Sequence, residues 1–171
     1  QVLQSEESHR TLITISSHHK YIVMNYRKAT PEDLNYLSEL FDAYRKFYGK
    51  VTDLEGAKTF LKNRISNAES EIYVSENSAA KLVGFVQLYP LFSSTRMKKY
   101  WLLNDLFVHP EFRGKGISIG LIDKAKALVK ASNACGMYLE TEKSNIIGNH
   151  LYPKTGFELN TECNFYEWEA K

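Results

Sequence analysis

Cysteine is scarce: Cys135 and Cys163 are the 2 in 171 residues, far apart and never in a C-x-x-C pair. That pattern builds neither a zinc site nor a disulfide framework, and it fits a reducing cytoplasm. Long apolar runs are absent too; none approaches the roughly 18 residues a membrane span requires. Charge of one sign is also lacking. The 22 basic and 20 acidic side chains leave a net +2 and are interleaved, so no basic stripe for nucleic acid forms and nothing calls for a membrane surface. Two phosphate-binding fingerprints are missing. There is no Walker G-x-x-x-x-G-K-[ST], and Gly114-Lys115-Gly116 is followed three residues later by Ile119, where the dinucleotide motif needs glycine.

What is present is a core-forming composition, 43% hydrophobic, in a length that sets one domain as the default. Residues 1–23 are a polar head in which Ser16, Ser17, His18 and His19 stand together. The head reads as an extension without catalytic role, or as an added edge strand at residues 11–15; the His18-His19 pair has no third ligand near it in sequence. The domain proper is expected over residues 24–171, from Met24-Asn25-Tyr26-Arg27 onward.

Tyr26–Ala29 reads as a first strand. Thr30-Pro31-Glu32-Asp33 starts a helix, with a capping threonine, proline in the first turn and acids after it. Leu34, Leu37, Leu40, Phe41, Tyr44, Phe47 and Tyr48 keep helical spacing up to Gly49. Thr52-Asp53-Leu54-Glu55 is a capping box for a second helix through Ile65. A hairpin follows, Ile72–Val74 against Leu82–Tyr89, with Pro90 as its stop and residues 91–99 as a polar loop. Residues 100–108 form an apolar strand expected to be buried on both faces. A helix to about Ser132, a strand at Met137–Thr141, a short helix at Asn145–Lys154 and strands at Phe157–Leu159 and Phe165–Trp168 complete a mixed α/β sheet.

Two constellations carry chemistry. Phe112-Arg113-Gly114-Lys115-Gly116-Ile117-Ser118 lies between the apolar strand and a helix, so its backbone N–H groups and the helix N-terminus converge on one spot suited to a pyrophosphate. Arg113 and Lys115 add positive charge, and Ser118 a hydroxyl. The blander alternative is a glycine-containing turn with surface cations. In Asn145-Ile146-Ile147-Gly148-Asn149-His150-Leu151-Tyr152, Asn145 and Tyr152 are 7 apart and share a helix face with Gly148 between them. Tyr152 suits proton donation to a leaving thiolate, or is an amphipathic core residue; Asn145 is a ligand contact or a helix cap.

Together these motifs resemble the GNAT superfamily of acetyl-CoA-dependent N-acetyltransferases over about residues 25–169. Phe85–Ser94 and Asn104-Asp105-Leu106-Phe107-Val108 resemble its histone, polyamine and small-amine subgroup. The resemblance implies a single-domain fold with a central, mixed and mostly antiparallel sheet flanked by helices. It implies that Leu106, Phe107 and Val108 pair with the pantetheine arm. It implies that Arg113, Gly114, Lys115, Gly116, Ile117 and Ser118 hold the pyrophosphate. Asn145, with the small Gly148 beside it, would bond the pantetheine, and Tyr152 would protonate the CoA thiolate after direct attack by a neutral amine. No metal is implied. Departures are Ser118, where Gly or Ala is usual, Gly148, where Ala is common, and Asn104, where polyamine enzymes tend to carry Glu.

Asp105 is the candidate for contact with the substrate ammonium, or a structural carboxylate; the general base stays unassigned. His109 is a weaker base candidate. Glu140 and Glu142 shape a groove for an electropositive substrate or are solvated. Tyr44 and Phe47 read as core and Tyr48 as bordering the acceptor groove. The aromatic ending Phe165-Tyr166-Glu167-Trp168 suits an edge strand that pairs in a homodimer. The function expected is acetyl transfer to a primary amine: a small amine, a polyamine or a lysine side chain. The alternative is a non-catalytic acetyl-CoA-binding regulatory module.

Overall fold

The computed structural model describes residues 10–11 and 24–170. Two compact units divide the chain, Gln1–Leu139 and Glu140–Lys171. The first holds a six-stranded sheet whose strands follow chain order: β1 (Arg10–Thr11), β2 (Met24–Lys28), β3 (Glu71–Glu76), β4 (Leu82–Ser93), β5 (Lys98–Val108) and β6 (Met137–Tyr138). Every neighbouring pair is antiparallel except β5–β6. Three helices accompany it: α1 (Leu34–Phe47), α2 (Leu54–Ser66) and α3 (Ile117–Ala131). The expected mixed, mostly antiparallel sheet is borne out. Arg10 and Thr11 pair with Asn25 and Met24 at its edge; the rest of the expected head strand lies outside the described residues.

Strand alternation assigns the faces. The row Tyr26, Ser75, Gly84 faces α3, where Gly120 lies against the Tyr26 ring. The next row, Arg27, Val74, Phe85, Phe107, faces the other way. There Phe85 and Phe107 join Leu37, Leu40 and Phe41 of α1 and Ala57 and Leu61 of α2 in one buried cluster. Arg27 clamps the entry to α1, with both guanidinium ends on Asp33 at 2.6 and 2.8 Å.

Several expectations are corrected. Pro90 does not stop β4, which runs to Ser93 in register with β5 (Pro90 opposite Trp101), and only residues 94–97 turn. Pairing with β3 ends at Leu88, so Pro90 sits where β4 has one neighbour, a place that tolerates a missing N–H. The cap of α2 is Asp53, whose carboxylate accepts from the Gly56 N–H at 2.9 Å; Thr52 instead donates its hydroxyl to Asp42. β5 is not buried on both faces throughout, since Asn104 is exposed and Leu102 and Leu106 are half-buried. β6 is only Met137–Tyr138.

The second unit carries α4 (Ile146–Lys154), as expected, with Asn145 as its cap. The two closing strands do not form among the described residues. Period-2 alternation supplies strand propensity, but a strand also needs a ladder, and no strand is described over residues 158–170.

Candidate functional site

The site begins with a bulge. Gln87 pairs with Asp105, but Leu88 pairs with Leu103, so Asn104 is an extra residue in β5. The extra residue shifts which side chains face where. Before it, Trp101 reaches α3 and donates its indole N–H to the Ser132 hydroxyl at 2.9 Å. After it, Asp105 and Phe107 face α1. Asp105 is only 5% exposed. Burial pushes its carboxyl up from the ordinary value, and hydrogen bonds from Asn104 and Tyr44 pull it partly back.

Among the described residues, β5 is open on one side beyond the bulge. β6 pairs with it only at Trp101 and Leu102, so the backbone of residues 103–108, including Leu106, Phe107 and Val108, has β4 as its one strand neighbour. This bare edge leads directly into the glycine turn. Gly114 (φ +74°) and Gly116 (φ +73°) take the left-handed conformation that a side chain strains. Gly116 is the N-cap of α3, and among the described residues no side chain caps that helix. The first amides, at Ile117 and Ser118, therefore carry the helix dipole's positive end without a capping acceptor.

The cations of the turn are partly committed. The Arg113 Nε–H donates to the Val108 carbonyl at 2.9 Å, and its guanidinium lies over the Phe47 and Phe107 rings at 5.3 and 5.5 Å. Arg113 thus ties the end of β5 to the end of α1. Lys115 donates to the Glu111 carbonyl at 3.1 Å. His109 lies 3.8 Å from Glu111 and edge-on to Phe112, in the turn rather than on the strand.

Between α1 and α2 lies a cleft of about 560 Å³ lined by Phe41, Tyr44, Arg45, Tyr48, Lys50, Asp53, Gly56, Ala57 and Phe60. Tyr48 lines it. Phe47 is not core: it is 58% exposed, because α1 ends there and its ring serves Arg113 instead. Tyr44 is more than core. Its ring packs edge-on to Phe107 and lines the cleft, while its hydroxyl bonds Asp105, so cleft and bulge meet at this residue. The reading of α1 missed that role, although Phe41, Tyr44 and Tyr48 at helical spacing were the signal for an aromatic wall.

In the second unit Asn145, Gly148 and Tyr152 do share a face. The Asn145 side chain accepts from the Gly148 N–H at 3.0 Å and donates to the Thr141 hydroxyl at 2.9 Å. A Cβ on Gly148 would fall 2.6 Å from Asn145 Nδ2 and 3.2 Å from the Tyr152 ring. The missing Cβ thus seats Asn145 and Tyr152 rather than leaving open space. The Tyr152 ring packs edge-on to Phe157 at 5.8 Å. Glu142 accepts from the Ser144 hydroxyl. Among the described residues no cluster of His, Cys, Asp or Glu suits a metal, and no helix is long and apolar enough to cross a membrane.

The model of the Acetyltransferase (GNAT) family matches residues 37–157. The uncharacterized N-acetyltransferase YhfO of Bacillus subtilis (strain 168) is 42% identical over 138 residues, 81% of this chain and 92% of its own. A probable acetyltransferase of Haemophilus influenzae is 31% identical, over 84% of this chain and 97% of its own. The crystal structure of a probable acetyltransferase superposes with a TM-score of 0.82 at 34% identity, covering 86% of this chain and 98% of that one. A predicted acetyltransferase from Clostridium acetobutylicum, described with acetyl-CoA, shares the fold at a TM-score of 0.68 and 20% identity. With the family's model matching residues 37–157 and relatives of this kind along most of its length, the chain belongs to the GNAT family and is an acetyl-CoA-dependent N-acetyltransferase.

Proposed function

We propose that the chain acetylates primary amines by direct attack in a ternary complex, within the family's histone, polyamine and small-amine subgroup. The observation that carries this is the bare β5 edge ending at an uncapped α3 N-terminus, with the buried Asp105 on the same strand just before Leu106. The residues present fit acetyl-CoA. The backbone of Leu106, Phe107 and Val108 pairs with the pantetheine arm as an added strand would. The amides of residues 113–118 take the pyrophosphate, with Gly114 and Gly116 letting the chain approach closely. Ser118 stands in the first turn of α3 and adds a hydroxyl. Arg113 acts chiefly by holding the turn to Val108 and Phe47.

The acceptor enters through the α1–α2 cleft, and Asp105 meets its ammonium. A free amine has a pKa around 10, so it must shed a proton before it attacks. With that proton passed to solvent water, the amine nitrogen bonds the acetyl carbon, the carbon–sulfur bond breaks, and the nitrogen's surplus proton follows to solvent. By its resemblance to the family, Tyr152 gives its phenolic proton to the departing sulfur, while Asn145 and Gly148 shape the same helix face. The free thiols of Cys135 and Cys163 support a reducing compartment such as the cytoplasm. The exposed Phe165, Tyr166 and Trp168 support self-association as a homodimer, and a monomer by light scattering at micromolar concentration would count against it.

The test is free-thiol release from acetyl-CoA across spermidine, small amino acids, amino alcohols, aminoglycosides and a lysine-rich peptide. Release with one class supports the reading. Thermal stabilisation by acetyl-CoA with no release from any amine supports a binding module instead.

A further inference from the structure

We propose that the acceptor is a primary amine on an aromatic or large apolar body with a single positive charge, and that the α1–α2 cleft discriminates against polyamines. This rests on the reading above, that the chain is an amine acetyltransferase whose acceptor enters that cleft.

Three observations carry it. The first is the wall. Phe41 and Phe60 stack at 5.5 Å and 15°, and Tyr44 and Tyr48 meet edge-on at 5.1 Å, so four aromatic rings line the cleft. Such a lining gains most from an apolar body of ligand size. The second is the charge. Arg45 and Lys50 line the cleft against the single acid Asp53, and Arg64 lies over the Phe60 ring at 4.7 Å. The nearby acids are committed: Asp53 to the Gly56 N–H, Glu69 to Arg64, and Asp42 to Arg45, the Thr52 hydroxyl and the Asp53 N–H. Arg45 and Arg64 are spent on those same acids, so among the described residues Lys50 is the cleft cation outside an ion pair, and the extra cations of a polyamine meet it with no unengaged carboxylate in the cleft lining. The third is the single anchor. Behind Tyr44 stands one buried carboxylate, Asp105, which matches one ammonium.

The experiment compares kcat/KM for phenethylamine and spermidine at saturating acetyl-CoA, in the full chain and in two variants. Phenethylamine is expected to exceed spermidine by about 10-fold or more, the discrimination one well-filled apolar pocket supplies. Phe60→Ala should raise the phenethylamine KM about 10-fold and leave the acetyl-CoA KM unchanged. Lys50→Glu changes an exposed residue and should move the selectivity several-fold toward spermidine. Preference for spermidine, or an unmoved ratio in Lys50→Glu, overturns the acceptor class and leaves the amine-acetyltransferase reading standing. Thiol release with neither amine nor any other acceptor overturns both.

Discussion

Two helices of this chain begin in opposite ways. α3 starts at Gly116 with no side-chain cap and follows two left-handed glycines. α4 starts at Asn145, whose carboxamide bonds the Gly148 N–H on one side and the Thr141 hydroxyl on the other. The start of α4 satisfies itself, whereas the start of α3 leaves its amides for something else. The same split divides the carboxylates. Asp42 is saturated by the Thr52 hydroxyl, the Asp53 N–H and Arg45, which hold its pKa down, whereas Asp105 is pushed up by burial. Polar groups that cost stability without a ligand mark the site better than polar groups that cap a helix.

The largest expected effect would sharpen the role of α4. Tyr152→Phe should lower kcat by about 10- to 1000-fold, the usual worth of a general acid, with acetyl-CoA affinity little changed. Steady-state kinetics settles it, and an unchanged kcat removes Tyr152 from the mechanism.

A smaller effect tests whether α4 is as self-contained as its cap suggests. Gly148→Ala drives a Cβ toward Asn145 and should cost about 1–3 kcal/mol by chemical denaturation, the range for overpacking. Asn145→Ala should cost about 1 kcal/mol as a lost cap. Because Asn145 is the group the new Cβ strikes, Gly148→Ala should cost less in the Asn145→Ala background; simple additivity would contradict the packing described.

The smallest effect concerns Asp105. Its carboxyl is raised by burial, so the folded state holds that proton more tightly than the unfolded chain. Stability therefore falls as pH rises through the window above the ordinary carboxylate value. Asp105→Asn should raise Tm by a few degrees at pH 7 and leave it unchanged near pH 3. A lower Tm at pH 7 would make Asp105 a structural residue instead.

Local signals were legible in the sequence. The glycine turn, the start of α3 and the Asn145 cap are set by residues within a few positions of one another, and the structure has them where the spacing predicts. The bulge at Asn104 was not legible, because it is a property of pairing with Gln87 and Leu88 rather than of β5 itself. Without the bulge, neither the facing of Asp105 nor its bond with Tyr44 follows. Pro90 misled for a related reason: its effect depends on which neighbour its strand has at that point. Phe157–Leu159 and Phe165–Trp168 misled in reverse: their residues are strand-like, but no strand is described there. The family's two motifs placed the candidate cofactor residues; the cleft emerged only when α1 and α2 were seen side by side.

The most direct measurement titrates acetyl-CoA and S-acetylpantetheine, which lacks the pyrophosphate, into the wild type and Gly116→Asp by calorimetry. The substitution sets a carboxylate where the phosphates would lie on α3. Wild type should bind acetyl-CoA about 10- to 100-fold more tightly than S-acetylpantetheine, and Gly116→Asp should bind the two alike, with S-acetylpantetheine affinity unchanged. Equal affinity of wild type for both ligands, or acetyl-CoA binding untouched by the substitution, would contradict the assignment of the uncapped α3 start as the pyrophosphate site.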